Sequence, residues 1–313
     1  MGKYIFKRVL MALLTIFVTV TITFIISHSI PGDPLAKEGN MPPGVYENLQ
    51  RYYNLDKPLI VQYGIYLKNL LQFDLGPSLK SANLSVNDQI SMGFPVTLAL
   101  GAQAFVVAII LGFILGVLAA LYHNKWPDYL SMILAIIGIS VPSFIMAYFL
   151  MDLFSVKLMW LPAARWGTWR HTILPTVALA AMPTAFIARL MRSSMLEVLG
   201  SDYIKTAKAK GLKQSVIIIK HAIRNAVLPV VSVLGIIATN LVTGSFVIER
   251  IFAIPGIGDL FVKSILNRDY PAILGTTVFY SVMLIFIVLI VDLLYTFIDP
   301  RIKLGGVKSA KPE

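Results

Sequence analysis

There is no cysteine among the 313 residues, which excludes disulfides, thiolate chemistry and Cys-ligated zinc or iron–sulfur centres. Charge is scarce too: only 14% of residues are Asp, Glu, Lys or Arg, against about a quarter in average soluble domains. Catalytic signatures are also missing. The chain contains no H-E-x-x-H and no G-x-S-x-G, and Gly2-Lys3 is its only Gly-Lys pair, so it has no phosphate-binding loop of the G-x-x-x-x-G-K-[ST] type. No catalytic residue is expected, and the chain cannot power itself through such a loop.

What it has is apolar length, with 57% apolar residues and a mean hydropathy of +0.76. Crossing about 30 Å of hydrocarbon takes about 20 apolar residues in a helix. Six runs are candidates, five of them long enough: Val9–Ile30, Val96–Leu121, Leu130–Leu150, Ile173–Ile187, Val227–Ile248 and Ala272–Ile298. The fourth is short and carries Pro175 and Pro183, which neighbouring helices can accommodate. The first follows Lys3, Lys7 and Arg8 and exceeds a signal-peptide core in length, so an uncleaved span is expected despite the small-residue site Ser27-His28-Ser29.

The expected fold is an all-α integral membrane protein of six transmembrane helices. A net charge of +11 suggests nucleic acid until the charges are placed on that topology. With both termini in the cytoplasm, the inside segments hold sixteen of the 27 basic residues against five acidic ones, whereas the outside segments hold eleven against nine. That is the positive-inside pattern, and it removes any need for a nucleic-acid partner. The chain then divides into residues 1–30, a first span with a cytoplasmic N-terminus; 31–95, an extracytoplasmic cap; 96–300, a five-helix core; and 301–313, a cytoplasmic tail. The core contains an inside segment at 191–225 and an outer segment at 249–271 that dips back toward the bundle.

In the cap, Tyr46, Leu49, Tyr52 and Tyr53, then Tyr63, Tyr66, Leu67 and Leu70, fall at helical spacing and predict short amphipathic helices. In the outer segment, Pro255-Gly256-Ile257-Gly258 reads as a turn, with Asp259 as N-cap of a helix presenting Leu260, Phe261, Ser264 and Ile265. Trp160, Trp166 and Trp169 read as an interfacial belt. In the second span, Ala104, Ala108, Gly112, Gly116 and Ala120 form a stripe that lets another helix, of this chain or another, come close. The polar groups that stand out within spans are Gln103, Asn240 and Thr243, the candidates for a translocation pathway. None is ionisable, and no inverted repeat with paired broken helices is visible, so a gradient-driven carrier ranks second and a passive channel third. His28 and His171 fall outside while His123 and His221 fall inside, so no metal site is expected.

The inside segment is the most informative. Ser201 reads as the cap of a helix from Asp202 that Gly211 ends, with Tyr203, Ile204 and Ala207 on one face and Lys205 and Lys208 on another. Composition favours a helix resting on anionic headgroups; the alternative is that the small face with Thr206 and Ala207 fits a groove in a soluble partner.

The run from Asp202 through Tyr203, Ile204, Lys205, Thr206, Ala207, Lys208, Ala209 and Lys210 to Gly211 and Leu212, followed by Lys220-His221-Ala222-Ile223-Arg224-Asn225-Ala226-Val227-Leu228-Pro229, resembles the cytoplasmic loop of binding-protein-dependent ABC importer permeases. Further motifs that fit the peptide-importer branch are Pro31-Gly32-Asp33-Pro34, Pro255-Gly256-Ile257-Gly258, Asn267-Arg268-Asp269-Tyr270-Pro271 and Asp299-Pro300-Arg301-Ile302. The family's Glu-Ala-Ala, three residues, Gly pattern appears here as Lys205-Thr206-Ala207 and then Gly211, without the acidic residue.

The resemblance implies a type I ABC importer-like permease in a bacterial cytoplasmic membrane. It implies as partners a second homologous permease, two cytoplasmic ATPases and an extracytoplasmic binding protein, with ATP and Mg on the ATPases and no cofactor on this chain. It turns the 202–212 helix from a headgroup contact into a coupling helix seated in an ATPase cleft. It makes the cap and the outer segment, including Pro255, Gly256, Gly258, Arg268 and Asp269, the docking surface for the binding protein. The implied substrate is a peptide, most closely an oligopeptide, with dipeptide and nickel permeases as relatives.

The charge placement is directly testable because no native cysteine interferes. An impermeant thiol reagent applied to intact cells is expected to label Asn83→Cys and spare Lys213→Cys. The reverse labelling would overturn the topology.

Overall fold

A computed structural model describes residues 2–29, 35, 43–81, 83–243 and 245–298. Pro31-Gly32-Asp33-Pro34, Asp299-Pro300-Arg301-Ile302 and the 301–313 tail lie outside the described residues. The helices are α1 (Gly2–Ser29), α2 (Pro43–Tyr52), α3 (Leu59–Leu71), α4 (Val86–Leu121), α5 (Trp126–Ser140), α6 (Ser143–Met151), α7 (Trp169–Gly200), α8 (Asp202–Ala209), α9 (Gln214–Val216), α10 (Arg224–Thr243), α11 (Phe246–Ile251), α12 (Ile257–Asn267) and α13 (Tyr270–Ile298). π-helical turns follow α6 (Asp152–Lys157) and α9 (Ile217–Ile223).

Among the described residues, five helical stretches are long and apolar enough to cross a membrane, and a sixth crossing is counted only if α5 and α6 are taken as one. The third expected span is therefore not a continuous helix: it bends by 108° between α5 and α6. Val141 is extended (φ −89°, ψ 118°) because the proline that follows disfavours helical geometry, and Pro142 itself has no N–H to donate.

Other boundaries moved for equally local reasons. α4 begins ten residues before the apolar run because Ser85 and Asp88 form a reciprocal cap, each backbone N–H donating to the other's side chain at 3.1 Å; Pro95 then lies inside the helix. α7 starts at Trp169 because Thr168 and His171 form a capping box, and it runs on to Gly200, past the charges that end the apolar run. The fifth expected span stops at Thr243, and Phe246 opens the separate helix α11. Gly256, not Asp259, is the N-cap of α12.

Two compact units divide the chain, one drawn from residues 96–255 and the other from 1–95 with 256–313. In the first, α7 is central and packs against α5, α6 and α10. The small-residue stripe of α4 also faces it. A Cβ on Gly112 would lie 2.7 Å from Ile187 Cβ, and one on Gly116 would lie 2.6 Å from the Ala188 carbonyl oxygen. Gly138 of α5 makes the same kind of approach, 2.8 Å from the Ala181 carbonyl oxygen. The stripe's partner is thus a helix of this chain.

In the other unit α1 and α12 pack against α13. Tyr46, Leu49 and Tyr53 of the cap gather around Leu35, Leu79, Tyr270 and Ile273. Asp269 fixes the start of α13: its carboxylate accepts from Ser78 Oγ (2.5 Å), Leu79 N (3.1 Å) and Ala272 N (3.3 Å). The preceding residue, Arg268, ends α12 in the left-handed region (φ 57°), and the bonds Arg268 N to Ile265 O and Asp269 N to Ser264 O complete a Schellman turn.

Close approach to backbone atoms makes the stripe intolerant of even one methyl group. Gly116→Ala is expected to lower stability by about 1–3 kcal/mol, the usual overpacking cost, read as a lower Tm in detergent. Gly64→Ala, where a Cβ meets nothing within 4 Å, serves as control and should show no such loss. Equal behaviour of the two variants would contradict the packing described.

Candidate functional site

α8 follows α7 with one residue between them. Ser201 occupies the expected N-cap position, but its hydroxyl donates to Val198 O (2.6 Å) at the end of α7 rather than accepting from α8. One residue has to terminate one helix and begin the next, and the hydroxyl serves the helix behind it. Asp202 instead takes Lys205 Nζ at 2.8 Å. At the other end Gly211 adopts φ +74°, with Gly211 N bonded to Lys208 O (2.9 Å) and Leu212 N to Ala207 O (3.3 Å), the left-handed terminus expected from the sequence.

The burial of α8 revises the face expected to meet a partner. Ile204 is fully buried and Ala207 is 7% exposed, both in the cluster that includes Ile217 and Ala222 of the π turn. Asp202, Tyr203, Lys205, Thr206, Lys208 and Ala209 are exposed, as is Leu212 beyond the helix. Thr206 therefore remains available to a partner, whereas Ala207 is committed to this chain's own core. Asn225 at the start of α10 donates to Tyr203 Oη (3.2 Å), a further tie between α8 and its own chain.

A second polar cluster, marked by no sequence motif, joins α5 to α7. Asp128, in the first turn of α5, is 3% exposed and accepts two bonds from Arg192 of α7, Nε to Oδ1 at 2.6 Å and Nη2 to Oδ2 at 2.8 Å. Asn124 N donates to the same carboxylate at 3.0 Å, and His123 Nδ1 lies 3.2 Å from Asp128 Oδ2 and 3.1 Å from Arg192 Nη2. The α4–α5 turn is thereby tied to α7 about two turns before that helix ends at Gly200. The two residues fall in cytoplasmic segments of the expected topology with opposite signs, which is the signal of the pairing that the sequence holds.

The three pathway candidates are not brought together. Gln103 Oε1 accepts from Thr176 Oγ1 (3.2 Å) between α4 and α7, and Thr243 Oγ1 donates back to Thr239 O (2.9 Å) along α10. Only Asn240 is exposed, on the face that also exposes Ser232, eight residues earlier. Near the end of this unit Glu249 is fully buried, its carboxylate accepting from Ser245 Oγ at 2.5 Å. Of the outer-segment candidates, Pro255 is exposed, Arg268 is half-buried, and Gly256, Gly258 and Asp269 are buried.

Residues 112–304 match the family model described as binding-protein-dependent transport system inner membrane component, and residues 1–101 match its N-terminal counterpart. The chain belongs to this family. It is 54% identical to the dipeptide transport system permease protein DppB of Bacillus subtilis over 97% of this chain and 99% of the relative. It is 47% identical to the oligopeptide transport system permease protein OppB of Haemophilus influenzae over 97% of this chain and the whole of the relative. Among solved structures, the inward-facing MetNI methionine ABC transporter gives a TM-score of 0.55 at 20% identity, covering 68% of this chain and 96% of that one, a likeness of fold. The family and the apolar helices make this a multi-pass protein of the bacterial inner membrane, and α4's glycines, the Asp128 cluster and α8 all fall within the two matched regions.

Removing one partner of a buried pair leaves the other uncompensated, which costs about 3–5 kcal/mol where both are fully buried. Arg192 is partly exposed, so Arg192→Gln should fall at or below the lower end of that range, read as a lower Tm in detergent. Asp128→Leu combined with Arg192→Met should recover most of the loss. A double variant as unstable as the sum of the two single changes would contradict a pairwise tie.

Proposed function

We propose that this chain is one of two permease subunits of an ATP-driven peptide importer, crossing the membrane six times with α5 and α6 as one bent crossing and with both termini in the cytoplasm. The observation that carries the reading is its alignment, at 54% and 47% identity over 97% of its length, with dipeptide and oligopeptide transport permeases. Relatives of both kinds support peptide as the cargo class. The gradient-driven alternative is not favoured.

In this reading ATP and Mg are bound by two cytoplasmic ATPase subunits, a binding protein delivers cargo on the other side, and this chain binds no cofactor. α8 is the coupling helix. Support comes from its lysine-rich exposed face and its direct continuity with α7. The contact face is centred on Thr206, with Tyr203, Lys205, Lys208 and Leu212 around it, while Ile204, Ala207 and Gly211 hold the helix in place. For the pathway, Asn240 is the strongest of the three candidates: an amide exposed on an apolar helix is costly against lipid and affordable beside water or a partner subunit. Of the outer-segment candidates, Pro255 and, in part, Arg268 remain open to a binding protein, with Gly256, Gly258 and Asp269 shaping the turns beneath them.

The test is reconstitution with the two ATPases, the second permease and the binding protein. The chain alone is expected neither to bind nor to hydrolyse ATP, whereas the complex should show hydrolysis stimulated by loaded binding protein and uptake of di- or oligopeptides. Thr206→Glu places a charge in the coupling contact and should cut stimulated hydrolysis at least tenfold, a loss of about 1.4 kcal/mol or more. Gly211→Val, forced into a left-handed backbone at a cost of about 1–2 kcal/mol, should do the same with subunit levels matched. Wild-type activity in both variants would remove α8 from the coupling role, and uptake by this chain alone down a proton or sodium gradient would overturn the importer reading.

A further inference from the structure

α3 is built inside out. Its sequence, LIVQYGIYLKNLL, turns Ile60, Val61, Gly64, Lys68 and Leu71 outward, with Leu67 half-buried beside them: Ile60 is 76% and Leu71 84% exposed, with Phe73 just beyond at 86%. The helix's neutral polar side chains, Gln62 and Asn69, lie on the opposite face, where both line a cavity of about 120 Å³ shared with His28 and Tyr66. An amphipathic helix on a water-facing surface has the reverse polarity. Not one residue of α3 is buried, so packing against this chain does not account for its apolar face.

The position of the helix says what does. The hydroxyls of Tyr63 and Thr21 are 2.6 Å apart, fixing the middle of α3 to α1. Thr21 precedes the end of α1 at Ser29 by eight residues, about 12 Å along a helix. α3 is therefore anchored beside the apolar body of α1, well below its end. A groove of about 430 Å³ runs between the two helices, lined by Thr21, Ile25, Ser29, Leu59, Ile60 and Tyr63. The groove continues directly onto Ile22, Ile25 and Ile26, which α1 exposes on a span long and apolar enough to cross the membrane. Lys68 is exposed on the same outward face, one turn from both Gly64 and Leu71, and its long side chain can lay its methylenes on hydrocarbon and carry its ammonium to the headgroups.

We infer that α3 is immersed in the bilayer, its Ile60–Leu71 face against the acyl chains of the leaflet that meets the Ser29 end of α1. The cap is then more than a platform for a soluble partner, because one of its two helices is a membrane element. The inference rests on the membrane location of the family and not on which side α3 occupies or on what the protein transports.

Spin labels decide it. Single cysteines at Ile60, Leu71, Lys57 and Ile25 of this cysteine-free chain are labelled within a full complex whose other subunits also lack cysteine, held in phospholipid nanodiscs. Collision with molecular oxygen, which concentrates in hydrocarbon, is compared with collision with a water-soluble nickel chelate. The expected result is that Ile60 and Leu71 follow Ile25, with strong oxygen and weak nickel access, while Lys57 shows the opposite ratio. High nickel access at Ile60 and Leu71 would overturn the inference in favour of a water-facing helix. Protection from both reagents would overturn it in favour of a protein contact, with the binding protein or the second permease. Failure of Ile25 to report hydrocarbon would indict the membrane placement of α1 itself, overturning the inference together with its foundation.

Discussion

Helices surrounded by hydrocarbon gain little from hiding apolar surface, because lipid is as good a solvent for leucine as a neighbouring helix is. What holds them is close approach, and in residues 96–255 that approach is made onto α7. Gly112 and Gly116 on α4 and Gly138 on α5 bring those helices so near that the atoms a side chain would strike are backbone carbonyls of α7. Dispersion between backbones falls steeply with distance, so a separation of even half an ångström forfeits much of the contact. The rest of the unit inherits its geometry from this. α7 is helical across both prolines and through the charged residues beyond Ile187, and two other helices are fitted to its surface.

Buried carboxylates then fix the ends that packing leaves loose. Asp128 stands in the first turn of α5 and Asp269 immediately before α13, where the unpaired N–H groups and the positive end of a helix favour a negative charge. Each also reaches across the chain, Asp128 to Arg192 some sixty residues away and Asp269 to Ser78 nearly two hundred away. In each unit a helix start is thereby tied to a distant segment. A turn at the end of a span is thus held as firmly as the span, and by directional bonds that specify one arrangement rather than a sliding contact.

The sequence carried most of the architecture because apolar length and small-residue spacing are local signals. The stripe from Ala104 to Ala120, the glycine ending α8 and the two cap helices could all be read from neighbouring residues. Several boundaries could not. The fourth apolar run stops before Arg189, whereas α7 continues through Arg189 and Arg192 to Gly200, and Arg192 is paired with Asp128 of another helix; no local pattern contains that pairing. The break at Pro142 leaves no mark in hydropathy, because the apolar run on either side is unbroken and a lost N–H does not change it. The face of α8 left exposed differs from the expected small face for a related reason. Small residues at Thr206 and Ala207 announce close packing without naming the partner, and for Ala207 the partner is the chain's own π turn.

That arrangement constrains how α8 can act in the proposed importer. Ser201 is the only residue between α7 and α8, and Ile204 and Ala207 are sunk in a cluster with Ile217 and Ala222, so α8 cannot shift alone. A push from an ATPase reaches α7 on one side and the 217–223 segment on the other. α7 resists bending because three glycine contacts and the Asp128–Arg192 bonds hold it to its neighbours. The other route is softer: the π turn has wider, poorer hydrogen-bond geometry, and Pro229, six residues beyond it, withholds a backbone donor from α10. Bending therefore costs least where α10 begins. The residues that such a bend displaces furthest lie toward the far end of that helix, where Asn240 is exposed.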